Sequence, residues 1–214
     1  VQVTLRLATQ VCDALHHAHA HGVVHRDLKA SNLMVYGPFE APSVKVVDFG
    51  LVKRVGADLG ITRHGTVLGS PHGMAPEQVR GGVVDARTDV YALGVLLFRA
   101  ITGRYPFHGS SPHETMVAHV NQPLPTFFSV APDLYLPEGL EEVVRRAVAK
   151  DPDERFQTML EFRHALEGVV HVGESQFRSV SLNVPTHLPQ GPPLGLTRVV
   201  AMAGVVLAVA AVVV

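Results

Sequence analysis

Cysteine is nearly missing from this chain. Cys12 is the one thiol in 214 residues, so no disulfide can form within the chain, and the composition fits a reducing compartment. No CxxC pair occurs, which removes the usual thiolate zinc sites. A dominant charge is also missing: 18 Lys and Arg stand against 19 Asp and Glu, net −1, giving no global electrostatic case for a nucleic-acid or acidic partner. Long apolar runs are absent except at the extreme C-terminus, which excludes a multi-span membrane protein. No GxxxxGK[ST] string, no internal repeat and no signal-peptide pattern occurs, and the chain opens on Val1 rather than Met, as a fragment or processed product would. What is present is hydrophobic: 47% apolar against 17% charged residues, with mean hydropathy +0.21. That excludes an intrinsically disordered chain and allows one domain with a real core.

Apolar residues at Val3, Leu7, Val11, Ala14, Leu15 and Ala18 recur at helical spacing, predicting a helix over 1–21 that Gly22 ends. Short apolar runs at Val23-Val24, Leu33–Tyr36 and Val44–Val47 predict strands, the last two separated by Gly37-Pro38 and Pro42-Ser43. Residues 50–80 are rich in glycine and proline and read as a long loop, of the kind that is functional or disordered. A buried helix is expected over Asp85–Thr102, closed by Gly103, with weaker helices at 111–121, 137–149 and 156–167. Residues 169–198 read as a linker, and Val199–Val214 is uninterrupted apolar sequence.

Three strings stand in a fixed order: His25-Arg26-Asp27-Leu28-Lys29-Ala30-Ser31-Asn32, then Asp48-Phe49-Gly50, then Ala75-Pro76-Glu77. On these motifs the sequence resembles the C-terminal lobe of a eukaryotic-type, bacterial-like serine/threonine protein kinase over about residues 1–168. The fold class implied is mainly α with short β strands (α+β), followed by a linker and an apolar C-terminal helix. Phosphoryl transfer to a hydroxyl is mostly positioning and charge neutralisation. The resemblance gives Asp27 the place of the carboxylate that orients the acceptor hydroxyl and takes its proton. It gives Lys29 the neutralisation of charge on the γ-phosphoryl group, a placement similar to serine/threonine rather than tyrosine kinases. Asp48 and Asn32 supply the hard oxygen ligands for Mg2+ on ATP.

Arg26 is implied as the partner of a phosphate on the loop, with Thr62 and Thr66 as the phosphosites. Ser70 falls in the stretch Gly69–Glu77 as a substrate-loop hydroxyl near Asp27 and Lys29. Asp89 is expected to bond the catalytic-loop backbone, and Glu77 to pair with Arg155. Two departures stand out. Ala30 replaces a common proline harmlessly. Gly73 replaces a usual tyrosine, which removes a packing anchor and is expected to loosen the substrate loop or alter peptide preference. The histidines His16, His17, His19, His21 and His25 invite a metal reading through His17 and His21, four residues apart. No cysteine or suitably spaced carboxylate completes such a site, and they read as partly exposed helix residues.

The family's N-terminal lobe carries a glycine-rich loop and a strand lysine, and neither GxGxxG nor a VAIK-like string occurs here. The expectation is half of an active site, inactive alone. Val199–Val214 holds 16 residues without charge, about 24 Å as a helix against a ~30 Å hydrocarbon core, and reads as a truncated membrane span. Arg198 on the near side favours a cytoplasmic kinase lobe, hence a single-pass membrane protein whose partners are protein Ser/Thr substrates, the missing N-lobe and the bilayer. Two alternatives stay open: a pseudokinase or docking module tethered to a membrane, and a structural membrane-tethered fragment. Asp27, Lys29, Asn32 and Asp48 together argue against the first.

Overall fold

The computed structural model describes residues 1–49 and 70–181, with side chains as far as residue 170. Val1–Ser179 packs as one unit; only the first two residues of the second unit, Val180–Val214, are described. The elements run α1 (Gln2–Ala20), β1 (Leu33–Tyr36), β2 (Ser43–Val46), α2 (Pro76–Arg80), α3 (Ala86–Thr102), α4 (Pro112–Asn121), α5 (Phe127–Val130), α6 (Leu140–Ala147) and α7 (Met159–Ser181), with 3-10 turns at Ala30–Asn32, Pro71–Gly73 and Pro152–Glu154.

The hub is α3. From Thr88 to Phe98 every residue is buried, so this helix is covered on all sides rather than along one stripe. Asp85 caps its start by accepting from the Arg87 N–H, and Gly103 closes it with φ +75°, a left-handed conformation that costs a glycine nothing. Against α3 lie α1, which buries Leu5, Ala8, Val11, Cys12 and Leu15, and α6, which buries Leu140, Val144 and Ala147. The α3–α6 approach depends on Gly94. A Cβ there would lie 2.8 Å from Val148 Cγ1 and 2.9 Å from the Ala147 Cβ. Burial pushes the Cys12 thiol far up, leaving it inert at neutral pH.

β1 and β2 pair antiparallel with Leu33 opposite Val46 and Tyr36 opposite Ser43, and β2 packs on α1. Gln10 of α1 fastens this hairpin through its side chain, donating to the Pro42 carbonyl and accepting from the Val44 N–H. The expected strand at Val23-Val24 does not form. The Val23 N–H instead donates 3.0 Å to the Ala18 carbonyl, which winds the chain off the end of α1. Part of the expected 50–80 loop is ordered as the Pro71–Gly73 turn and α2. The last helix also outruns its expected end at 167. Phe162, Leu166 and Val169 continue one buried stripe across Gly168, so α7 runs to Ser181 and occupies the start of the stretch expected as linker. Val199–Val214, Gly50, Thr62 and Thr66 lie outside the described residues. Among the described residues no helix is long and apolar enough to cross a membrane.

Candidate active site

The loop between α1 and β1 is built on one carboxylate from the hub. Asp89, fully buried in the first turn of α3, accepts from the His25 N–H at 2.8 Å and the Arg26 N–H at 2.9 Å. These two bonds hold Arg26 at φ +66°, a left-handed conformation that costs a non-glycine residue about 1 kcal/mol or more. The turn reverses the chain there and presents Asp27. The buried His25 ring donates from Nε2 to the Val47 carbonyl at 3.1 Å, which leaves Nδ1 as acceptor toward the Asp27 N–H at 3.4 Å. The same ring lies 4.9 Å from the Phe49 ring. One histidine thus ties the loop carrying Asp27 to the segment carrying Asp48.

Lys29 Nζ donates to Asp27 Oδ2 at 2.9 Å, with both side chains partly open to solvent. Asn32 is buried, and its Nδ2 donates to the Asp27 carbonyl at 2.9 Å, which assigns its amide oxygen as the acceptor end of the side chain. The Val47 N–H donates to the Asn32 carbonyl at 3.0 Å, extending the β1–β2 ladder by one step and bringing Asp48 beside Asn32. Asp48 is exposed and sits at φ +56°, again left-handed and non-glycine. A fixed amide oxygen and an exposed carboxylate at one hairpin end suit a hard divalent cation. Among the described residues no group of three or more His, Cys, Asp or Glu gathers that could hold a metal by itself.

The segment Ser70–Glu77 lies against this loop. A Cβ on Gly73 would stand 3.0 Å from the Leu28 carbonyl oxygen, a tight contact that glycine avoids. Gln78 reinforces the approach, donating from Nε2 to the Arg26 carbonyl at 2.8 Å and accepting from the Ala75 N–H at 3.0 Å. The loosening expected from Gly73 is therefore answered by a close backbone approach and a glutamine clamp. Ser70 is half-buried and opens the Pro71–Gly73 turn, and its hydroxyl makes no hydrogen bond to Asp27 or Lys29.

Beneath, Arg155 and Glu77 form a bidentate pair at 2.9 and 2.8 Å. Thr88 Oγ1 donates to Glu77 at 2.7 Å, and Arg155 also donates to the carbonyls of Ala149, Arg87 and Lys150. Burial alone would push Glu77 up, but the Arg155 bonds and charge and the Thr88 hydroxyl outweigh it and hold the carboxyl below its ordinary value. Nearby, Lys150 Nζ donates to the His119 carbonyl at 2.6 Å and stands over the Phe107 ring at 3.7 Å. Burial, then the Arg155 and Arg80 charges, lower Lys150 to about 8. Burial, with the Lys150 charge, lowers His119 to about 3, so its imidazole is neutral.

Several of these positions carry no sequence signal. His19 was read with His16, His17 and His21 as a partly exposed helix histidine, and it is half-buried where those three are exposed. What the sequence did not show is its partner: its Nε2 donates to Asp89 Oδ2 at 2.7 Å. Its place three residues after the exposed His16, in a helix whose buried stripe includes Leu15, gave no hint of a carboxylate 70 residues away. Gln78, Thr88, His119 and Lys150 were missed for the same reason, because their partners are remote in sequence. The exposed His17 and His21 rings stand 4.6 Å apart.

Residues 2–167 match the protein kinase domain family. The serine/threonine-protein kinase Pkn1 of Myxococcus xanthus is 42% identical over 191 residues, 87% of this chain and 27% of that protein. PknB of Mycobacterium tuberculosis is 39% identical over 173 residues, 79% of this chain and 26% of that protein. The crystal structure of the Mycobacterium tuberculosis PknI kinase domain superposes with TM-score 0.55 at 28% identity, covering 78% of this chain and 54% of that one. The chain spans about a quarter of the length of the curated relatives it matches. A clamped HRD loop, an adjoining DFG aspartate and a buried Glu–Arg pair, in a chain matched over most of its length, lead to one assignment: it belongs to the protein kinase family, among serine/threonine kinases of the bacterial type.

Proposed function

We propose that this chain is the C-terminal lobe of a kinase that transfers the γ-phosphoryl group of Mg-ATP to protein serine or threonine. The observation that carries the reading is the grip of Asp89 on the His25 and Arg26 N–H groups, which forces the left-handed turn that presents Asp27 beside Lys29. Asp27 would accept the proton of the acceptor hydroxyl and orient its oxygen for in-line attack. Lys29 would exchange its bond to Asp27 for one to the γ-phosphoryl oxygens, neutralising charge where it gathers. Asn32 and Asp48 would hold Mg2+, which when bound offsets the charge of the nucleotide phosphates. Thr66 or Thr62, once phosphorylated, would engage Arg26.

The glycine-rich loop and strand lysine of the family are absent from these 214 residues, so the chain alone is expected to be inactive. The apolar Val199–Val214 stretch is proposed as a membrane anchor that leaves the lobe in the cytoplasm. The test is Asp27→Asn in the protein carrying both lobes, which keeps size and removes the base. Transfer from labelled ATP should fall by several orders of magnitude with the circular dichroism unchanged. More than about a tenth of the wild-type rate would remove Asp27 from its role.

A further inference from the structure

The segment Ser70–Glu77 is pinned to the catalytic loop at two points, Gly73 against the Leu28 carbonyl and Gln78 on the Arg26 carbonyl. The segment therefore borders the loop that presents Asp27. Its outer side is not neutral. The His72 ring stacks on the Tyr105 ring at 4.3 Å and 8° between planes. On Tyr105 lies the Arg99 guanidinium, 4.2 Å from the ring centroid, which also donates from Nη1 to the Tyr105 hydroxyl. Burial lowers His72 below its ordinary value, and the charges of Arg99 and then His108 lower it further.

Arg99 is held by a ring, whereas Arg87, Arg145, Arg155 and Arg163 each meet a carboxylate within 3 Å. Among the described residues no carboxylate pairs with Arg99. Its base is rigid, since it follows directly on the wholly buried Thr88–Phe98 run of α3. Stacking covers one face of a guanidinium and fixes its plane while leaving N–H edges for a carboxylate, the geometry in which arginine recognises acids. An arginine kept only as a structural ion-pair partner would be expected to carry its carboxylate with it.

We propose that Arg99, held through Tyr105 against His72, is a specificity determinant that selects an acidic side chain flanking the phosphoacceptor in the substrate. This deepens the kinase reading and rests on it. An extended peptide advances ~3.3–3.6 Å per residue, so each flanking position probes a different reach from the acceptor. A lysine or arginine there meets like charge and is disfavoured.

The test uses the full-length protein that carries this chain and three serine/threonine peptides identical except that the flanking positions are Glu, Ala or Lys. The expected order of kcat/KM is Glu above Ala above Lys, with about 3- to 10-fold between Glu and Ala. Arg99→Glu should reverse the Glu-to-Lys order. Arg99→Gln, which keeps a polar stem without charge, should bring the ratio toward one even if the glutamate variant fails to fold. Arg145→Glu, on the exposed face of α6, should leave the ratio as in wild type. A purely structural Arg99 would change all three peptides equally, and an unchanged Glu-to-Lys ratio in the Arg99 variants overturns the proposal. Equal Asp27-dependent transfer to all three peptides by wild type also overturns it while leaving the kinase reading intact. No transfer to any of them overturns both.

Discussion

Replacing Arg155 by alanine should be among the most damaging single changes in the lobe. The side chain is 1% exposed and makes two bonds to Glu77 and three to the carbonyls of Ala149, Arg87 and Lys150, besides lying 4.8 Å from the Tyr91 ring centroid. Its removal leaves Glu77, itself buried, with the Thr88 hydroxyl and its own backbone N–H but no opposite charge. Breaking one side of a buried pair costs about 3–5 kcal/mol, because the remaining charge is uncompensated. A domain of this size has a total stability of ~5–15 kcal/mol, so the variant should be marginal or unfolded at 37 °C. The pH dependence carries a definite sign. The Glu77 carboxyl is held below its ordinary value in the folded wild type. Its contribution is therefore complete above the unfolded value near ~4.3 and fades as pH falls through the lower folded value. In Arg155→Ala the charge is gone and burial pushes Glu77 up instead, so the variant should recover relative to wild type as pH drops from 7 toward 4. Urea unfolding followed by far-ultraviolet circular dichroism at pH 7 and pH 4 measures both effects. A loss under about 1 kcal/mol at pH 7, or a wild-type-to-variant gap that widens at pH 4, would refute the reasoning. The double variant Glu77→Gln/Arg155→Met should be more stable than Arg155→Ala alone, since no buried charge is then left unpaired.

Three further outcomes are expected. Gly94→Ala should cost about 1–3 kcal/mol in the same urea assay, because its Cβ would stand 2.8 Å from Val148 Cγ1 and force α3 from α6; Gly81→Ala, with open space but φ +70°, should cost less. Active protein with both lobes should carry phosphate on Thr66 or Thr62 by mass spectrometry, and full activity of the double alanine variant would count against Arg26 as their partner. Deletion from Val199 onward should move the parent protein from the membrane fraction to the soluble one, and a parent found soluble with its tail intact would end the anchor proposal.

Local periodicity carried much of this fold. Val11 and Leu15 on α1, the apolar run of α3 and the Gly103 terminator were legible, because each is a property of neighbours within a turn or two, whereas the expected Val3 is exposed and the buried Leu5, Ala8 and Cys12 were missed. So were the positions of Asp27, Asn32 and Asp48, which follow one another in recognisable strings. Val23-Val24 misled because β-branched pairs suit a strand only where a partner strand lies beside them, and here the end of α1 takes the backbone bond. Gly168 misled because a glycine with an apolar stripe continuing on both sides does not stop a helix. Tertiary structure alone decided what converges on Asp89. His19 and His25 lie 70 and 64 residues before it, and a side chain's turn inward depends on which helix it meets, not on its own spacing. It also decided that Gly73 sits against the Leu28 carbonyl and that Arg99 reaches His72 through Tyr105. Sequence determined which groups the chain owns and which helices carry them. Only packing determined their meeting, since burial, charge pairing and ring stacking act across space between residues that the chain order keeps apart.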